Sequence, residues 1–208
     1  MTMERLVKVY PEIPLEAEVE KRVGRYLELE FHKHKAIRMS AEKFKDSLMK
    51  LAVSQPENFK GRIDTPVIVC GQIPIKDQCE LSGIEYFLSG LDVRDWPEDP
   101  QKYKTPKDFY MTWMDEGVRF MNRKVQDVRK ELASDERGGT AFDGVALYIA
   151  KPNVLQTRFL DLPGTALGPL DGVSLGLLWD GSGRPFLYCS FVDHALPAFG
   201  SLVCGRKK

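Results

Sequence analysis

A chain of 208 residues is long enough to bury one sizeable core, and 43% hydrophobic with 29% charged side chains is the ordinary range of a globular protein. Thirty basic and thirty acidic side chains cancel, so no net field draws in nucleic acid or an anionic membrane. No run approaches the roughly 18–20 apolar residues that a spanning helix needs, and the four cysteines do not make a disulfide scaffold.

In chain order, Leu15, Val19, Val23, Tyr26, Leu27 and Phe31 follow Pro11 and Pro14 at helical spacing. A basic patch, His32-Lys33-His34-Lys35 with Arg38, leads to a second helix that Ser40 caps. Phe44, Leu48, Leu51 and Ala52 form its apolar face, and Gln55-Pro56 stops it. These helices predict an N-terminal α-hairpin within residues 1–60, followed by an α+β body over 61–208, the whole being a single domain.

The β-branched run Thr65-Pro-Val-Ile-Val-Cys70 reads as a buried strand ended by Gly71. Ile75, Cys79, Leu81, Ile84, Phe87 and Leu88 suggest a helix over 75–91, weakened by Gly83. Residues 92–106 are polar and punctuated by proline, which predicts loop. A strand is expected at 108–115, and Val118, Met121, Val125, Val128 and Leu132 predict an amphipathic helix after it. Thr140 with Asp143 three residues on signals a capping box and a helix as far as Lys151-Pro152. Residues 160–171, rich in proline and glycine, are expected to be loop.

The strongest local signal is C-terminal. Two apolar runs flank Asp180-Gly-Ser-Gly-Arg184, a short glycine-rich connection that suits a tight hairpin. Centring it on Ser182 sets Trp179 against Pro185, Leu177 against Leu187, Leu175 against Cys189 and Val173 against Phe191 on one apolar face. A second turn over 193–200 is expected to bring Leu202 against Phe191 and Cys204 against Cys189. The fold class predicted is therefore α+β, with a helical hairpin, a mixed central part and a C-terminal three-stranded antiparallel meander.

A strand over 109–115 ending in Asp115-Glu-Gly117, a helical segment over 140–150, and a C-terminal signature occur here in a fixed order. The signature consists of Val173-Ser-Leu-Gly-Leu-Leu-Trp179, Gly183-Arg-Pro-Phe-Leu187, Cys189, His194 and Phe199-Gly-Ser-Leu-Val-Cys-Gly-Arg206. In this order the C-terminal two-thirds resembles a family of uncharacterised bacterial proteins, mainly actinobacterial, described as a domain of unknown function. The resemblance implies the architecture and carries no known activity.

Three groups of residues could carry function. Cys189, His194 and Cys204 offer soft ligands: with the meander in register the thiols are cross-strand neighbours about 4.5–5.5 Å apart. His194 lies between them in sequence, and Cys70, Cys79 or water could fill the fourth position for zinc. Free cysteines, however, are commonly buried as small hydrophobes, so no cofactor is the expectation and zinc the exception. Asp115 and Glu116 end a strand before Gly117, where carboxylates can bind a divalent cation, work as acid and base, or simply cap a turn. Trp96, Tyr103, Tyr110 and Trp113, with Phe109, make an aromatic zone suited to a ligand cleft or a protein contact.

The function expected on these grounds is a non-catalytic binding or protein-interaction module, acting on a protein or small-molecule partner through the aromatic zone. The alternative is a small hydrolase or metal-dependent enzyme using Asp115, Glu116 and His194. Neither a membrane nor nucleic acid is an expected partner. The charged start over residues 1–6 lacks the apolar core of a secretion signal, which predicts a cytoplasmic protein.

Overall fold

The computed structural model describes residues 14–206 apart from 101, 169 and 171; the charged start lies outside them. The helices are α1 (Leu15–Glu28), α2 (Ala41–Met49), α3 (Ile75–Leu81), α4 (Val125–Glu131), α5 (Ala141–Ala150) and α6 (Val154–Thr157). The strands are β1 (Thr65–Cys70), β2 (Glu85–Tyr86), β3 (Asp92–Asp95), β4 (Phe109–Met114), β5 (Glu136–Gly138), β6 (Phe159–Leu162), β7 (Thr165–Gly168), β8 (Val173–Trp179), β9 (Pro185–Phe191), β10 (Phe199–Ser201) and β11 (Val203–Gly205). They build an α+β fold around one buried helix.

That helix is α5. The Thr140 hydroxyl accepts from the Asp143 N–H and the Asp143 carboxylate accepts from the Thr140 N–H, the capping box that the sequence predicts. The segment Ala-Phe-Asp-Gly-Val-Ala-Leu-Tyr-Ile-Ala is apolar nearly all round, the composition of a helix with no wet face. Ala141, Val145, Ala146, Leu147 and Ile149 are at most 2% exposed. The helix packs on β1 of one sheet and on β6 and β8 of another. Gly144 permits the second contact, because a Cβ there would lie 2.7 Å from Leu162 Cδ2.

The first sheet runs β1-β4-β11-β5, antiparallel throughout. Its β1 edge is closed by α1, as the predicted α-hairpin packs there. Arg22 Nε donates to the Pro66 carbonyl, and Tyr26 Oη donates to the Ile68 carbonyl at 2.7 Å. A helical i, i+4 step of about 6 Å matches a strand i, i+2 step of about 6.6 Å, so one helix satisfies outward-facing groups that would otherwise template aggregation.

The second sheet runs β10-β6-β8-β9-β2. The β8–β9 hairpin has the predicted register, from Val173 opposite Phe191 to Trp179 opposite Pro185. Asp180 Oδ1 accepts from the N–H groups of Ser182 and Arg184, both at 2.8 Å, and Gly183 takes φ +83°. The apolar face is buried at Leu175, Leu177 and Leu187, but Cys189 and Phe191 are exposed, contrary to expectation.

The third meander strand is also corrected. The place beside β9 belongs to β2, which pairs with it in parallel, while β10 pairs parallel with β6 on the far side of β8. Beyond β10 the chain changes sheet at Leu202, which is fully buried. Its N–H donates to the Asp161 carbonyl at 2.9 Å and its carbonyl accepts from the Gly139 N–H at 2.8 Å. Cys204 thus lies in the first sheet, opposite Arg137 and Met114.

Other expectations fail at glycines and short strands. Gly83, at φ +70°, ends α3 after Leu81, and Phe87 is 62% exposed rather than inward. The expected loops contain β3, β6 and β7; β3 and β7 pair with each other, antiparallel. The helix expected from Val118 starts only at Val125, because Asn122 has φ +54° and Met121 bridges to Gly200. A further strand, β5, occupies the stretch read as a helix end.

Candidate functional site

Strand β1 pairs with β4 along its whole length, whereas β11 meets β4 only at Cys204 opposite Met114. Beyond Cys204 the chain keeps to β5, with Gly205 opposite Glu136 and the Arg206 N–H donating to the Asp135 carbonyl at 2.8 Å, and on the β4 side the Thr112 hydroxyl donates to the Gly205 carbonyl at 3.3 Å. A cleft opens where the ladder stops. Two adjoining cavities of about 370 and about 420 Å³ share Met111, Thr112, Gly205 and Arg206.

Val53, Phe59 and Trp113 wall the first cavity, with Asn58 and Asp135 at its rim. Trp113 is held by its indole N–H donating to the Val53 carbonyl at 3.2 Å. Gly205 lets Phe59 approach, since a Cβ there would meet the ring at 2.2 Å. The second cavity is lined by Tyr103, Tyr110 and Arg137. The two tyrosine hydroxyls are 3.4 Å apart, and Tyr110 Oη donates to Asp143 at 3.1 Å. The Arg137 guanidinium stacks 4.0 Å from the Tyr103 ring centroid.

Beneath this wall lies the Arg137–Asp143 ion pair, both side chains being almost fully buried. Burial alone would raise the Asp143 carboxyl, but the Arg137 guanidinium and the Thr140 donors hold it below the usual carboxylate range. Burial pushes the Tyr103 and Tyr110 hydroxyls above their usual range, so both remain protonated donors at neutral pH. Arg206 adds a second cation at the rim, 3.5 Å from Asp99, which also accepts from the Tyr103 N–H at 2.9 Å. The cleft therefore has an apolar end and a polar end with hydroxyl and guanidinium donors.

Of the aromatic residues that the sequence singles out, Tyr103, Tyr110 and Trp113 border this cleft. Trp96 does not: its ring stacks on Arg129 at 4.4 Å, and its backbone N–H donates to the Gly164 carbonyl at 2.8 Å. Arg129 in turn donates to the carbonyls of Pro163 and Thr165, so the pair anchors the β6–β7 turn. Phe109 packs against Tyr26 and Phe44 under the helices.

Asp115 and Glu116 line a separate cavity of about 380 Å³ with Arg62, Asp64, Thr65 and Arg119. Burial raises the Asp115 carboxyl to about 6 against the pull of the Gly117 N–H, which donates to it at 2.6 Å, and of Arg119. Burial acts on Glu116 too, but bonds from Lys151 and Thr65 take it below its usual value. Glu136, also buried, accepts from Arg62 and Arg119. His194 is not part of this group: it is exposed in the β9–β10 connection, beside Asp193 and Phe191.

The cysteine–histidine constellation is not assembled. Cys189 is on β9 and exposed, Cys204 is buried in the other sheet, and Cys70 and Cys79 are buried in the core around β1 and α3. Among the described residues no three His, Cys, Asp or Glu side chains are grouped closely enough to hold a metal ion. The cause is the sheet change at Leu202, which removes the assumed register.

Sequence reasoning missed Arg137 and Arg206, and took Asp143 for a cap alone. One signal was available. Asp143 is the single charge in an otherwise apolar helix, and a buried carboxylate calls for a cation. Compared with protein-family models, curated proteins and solved structures, the chain gives no match.

Proposed function

We propose that this is a non-catalytic binding protein of the cytoplasm whose cleft takes a small, flat, largely apolar molecule with an acidic or hydroxylated end. The observation that carries the reading is the pair of adjoining cavities, one walled by Trp113 and the other by Tyr103 and Tyr110, that share Met111, Thr112, Gly205 and Arg206. Cavities of about 370 and 420 Å³ fall within the roughly 300–1,000 Å³ typical of small-molecule sites. Donors at one end and hydrocarbon at the other give such a molecule a single orientation. Membership of the actinobacterial family that the chain resembles is part of the proposal and adds no activity to it.

Two further observations support a soluble, reducing setting. All four cysteines are free, and three are buried; no described helix is long and apolar enough to cross a membrane. Calorimetric titration with 2-naphthoate as probe tests the binding role. Trp113→Leu and Arg206→Ala should each weaken binding by about tenfold, a loss of roughly 1.4 kcal/mol. Unchanged affinity in both variants counts against the cleft.

A second reading rests on Asp115, a carboxyl raised to about 6 inside a cavity, as a general acid or base poised near neutral pH. A hydrolase of this kind would use Asp115 with Glu116 and without His194. Screening ester and phosphoester substrates against the protein and Asp115→Asn decides it: turnover that the substitution abolishes favours the enzyme.

A further inference from the structure

The outer face of the five-stranded sheet carries a constellation that neither reading uses. Strand register sets Ser201, Asp161, Gly176 and Tyr188 in one row across β10, β6, β8 and β9. Because side chains alternate along a strand, this row lies on the face opposite the buried Leu160, Leu162, Leu175, Leu177 and Leu187. Phe199 and Phe159 form the adjacent row. Rings touch in series over this face: Phe159–Phe199 at 5.2 Å, Phe199–Tyr188 at 6.2 Å, Tyr188–Phe186 at 5.7 Å and Phe186–Phe87 at 5.5 Å between centroids. Phe199, though buried, belongs to neither hydrophobic core cluster.

Glycine at 176 makes the arrangement possible. A Cβ there would lie 2.4 Å from the Tyr188 ring, so the ring lies across β8 on the Asp161 side. Asp161 is 4% exposed, and its carboxylate accepts from the Ser190 hydroxyl at 3.0 Å. Among the described residues no Lys, Arg or His forms an ion pair with it. Beside it the Ser201 hydroxyl is fully buried and unpartnered. Burial raises the Asp161 carboxyl to about 6, a sign that its charge is poorly compensated.

A carboxylate withdrawn from water without a counter-charge is costly, and aromatic faces beside it present the negative side of their quadrupoles. Both features favour the same occupant. An anion is repelled, and a neutral hydrogen-bond donor leaves the buried charge without a counter-charge. The slight exposure of Asp161 restricts the occupant to a small head group. We propose that this face binds a small free organic ammonium ion, with Asp161 as counter-ion and Tyr188, Phe159 and Phe199 as walls.

The test is a titration of the full chain at pH 7.5 with choline and with its uncharged isostere 3,3-dimethylbutan-1-ol, followed by NMR. Choline should bind saturably, shift the signals of Phe159, Asp161 and Tyr188, and bind at least about tenfold more tightly than the isostere. Asp161→Asn should remove that preference, and Tyr188→Leu should weaken choline. Absence of saturable choline binding, or equal affinity for choline and the isostere on the unaltered protein, overturns the proposal whether or not the variants fold. So does an Asp161→Asn protein that still prefers choline.

Discussion

Arg137 and Asp143 meet as a two-armed ion pair with 3% and 0% of their side chains exposed, Nη2 lying 3.0 Å from Oδ1. The pair joins β5 to α5, and through Tyr110 and Tyr103 it fixes one wall of the cleft. Removing one partner leaves the other charge buried alone. Asp143→Asn and Arg137→Leu are each expected to cost about 3–5 kcal/mol of unfolding free energy, measured by urea denaturation. The double variant Arg137→Met/Asp143→Leu should recover part of that loss, because no charge is then stranded.

Gly200 and Gly117 set the approach of the 117–121 turn to β10. A Cβ on Gly200 would lie 1.9 Å from the Gly117 carbonyl oxygen, and Gly117 itself has φ +79°. Gly200→Ala should therefore destabilise by at least about 1–3 kcal/mol, the usual cost of overpacking. Gly24 lies within α1, and a Cβ added there would meet no atom of the neighbouring elements within 4 Å. Gly24→Ala should stabilise by about 0.5–1 kcal/mol. Opposite signs for two chemically identical changes, read from thermal unfolding, check the packing directly.

The buried acids give a pH dependence of defined sign. Asp161 is raised from 3.8 to about 6 by burial, so between roughly pH 4 and 6 the folded chain holds a proton that the unfolded chain has lost. This group therefore stabilises the fold at low pH, and that contribution disappears as pH rises through 6. Asp161→Asn should be more stable than the unaltered chain at pH 7.5, by up to about 3 kcal/mol, and should lose that advantage below pH 4. Asp143, held low by Arg137, acts in the other direction: its contribution is present at neutral pH and lost on acidification.

Local signals in the sequence were reliable where backbone chemistry is local. The Thr140–Asp143 capping box, the Ser40 cap and the β8–β9 register are each set by a cap or turn of a few residues, and each stands as predicted. Pairing across longer distances was not legible. The connection from Phe191 to Phe199 does not impose a hairpin; Phe199 instead packs on Phe159, and Leu202 carries the chain into the other sheet. Strands of two to four residues, such as β2, β3, β5, β6 and β7, are too short to show a period of two.

The same division governs the cleft. Tyr103, Tyr110 and Trp113 were visible as an aromatic zone, but not the reason they border adjoining cavities, which is the loss of β11–β4 pairing beyond Cys204. Trp96 lies equally close in sequence and serves the β6–β7 turn instead. Arg206 gave no sign at all, since its position depends on that same loss of pairing and on Asp135.

The central claim is that the cleft is a ligand site, and amide chemical-shift mapping during titration with 2-naphthoate tests it most directly. Saturable shifts are expected at Met111, Thr112, Gly205 and Arg206, reached only at about tenfold higher ligand concentration in Trp113→Leu. Saturable shifts confined to the Asp115–Arg119 cavity, or no saturable shift at these four residues, would contradict it.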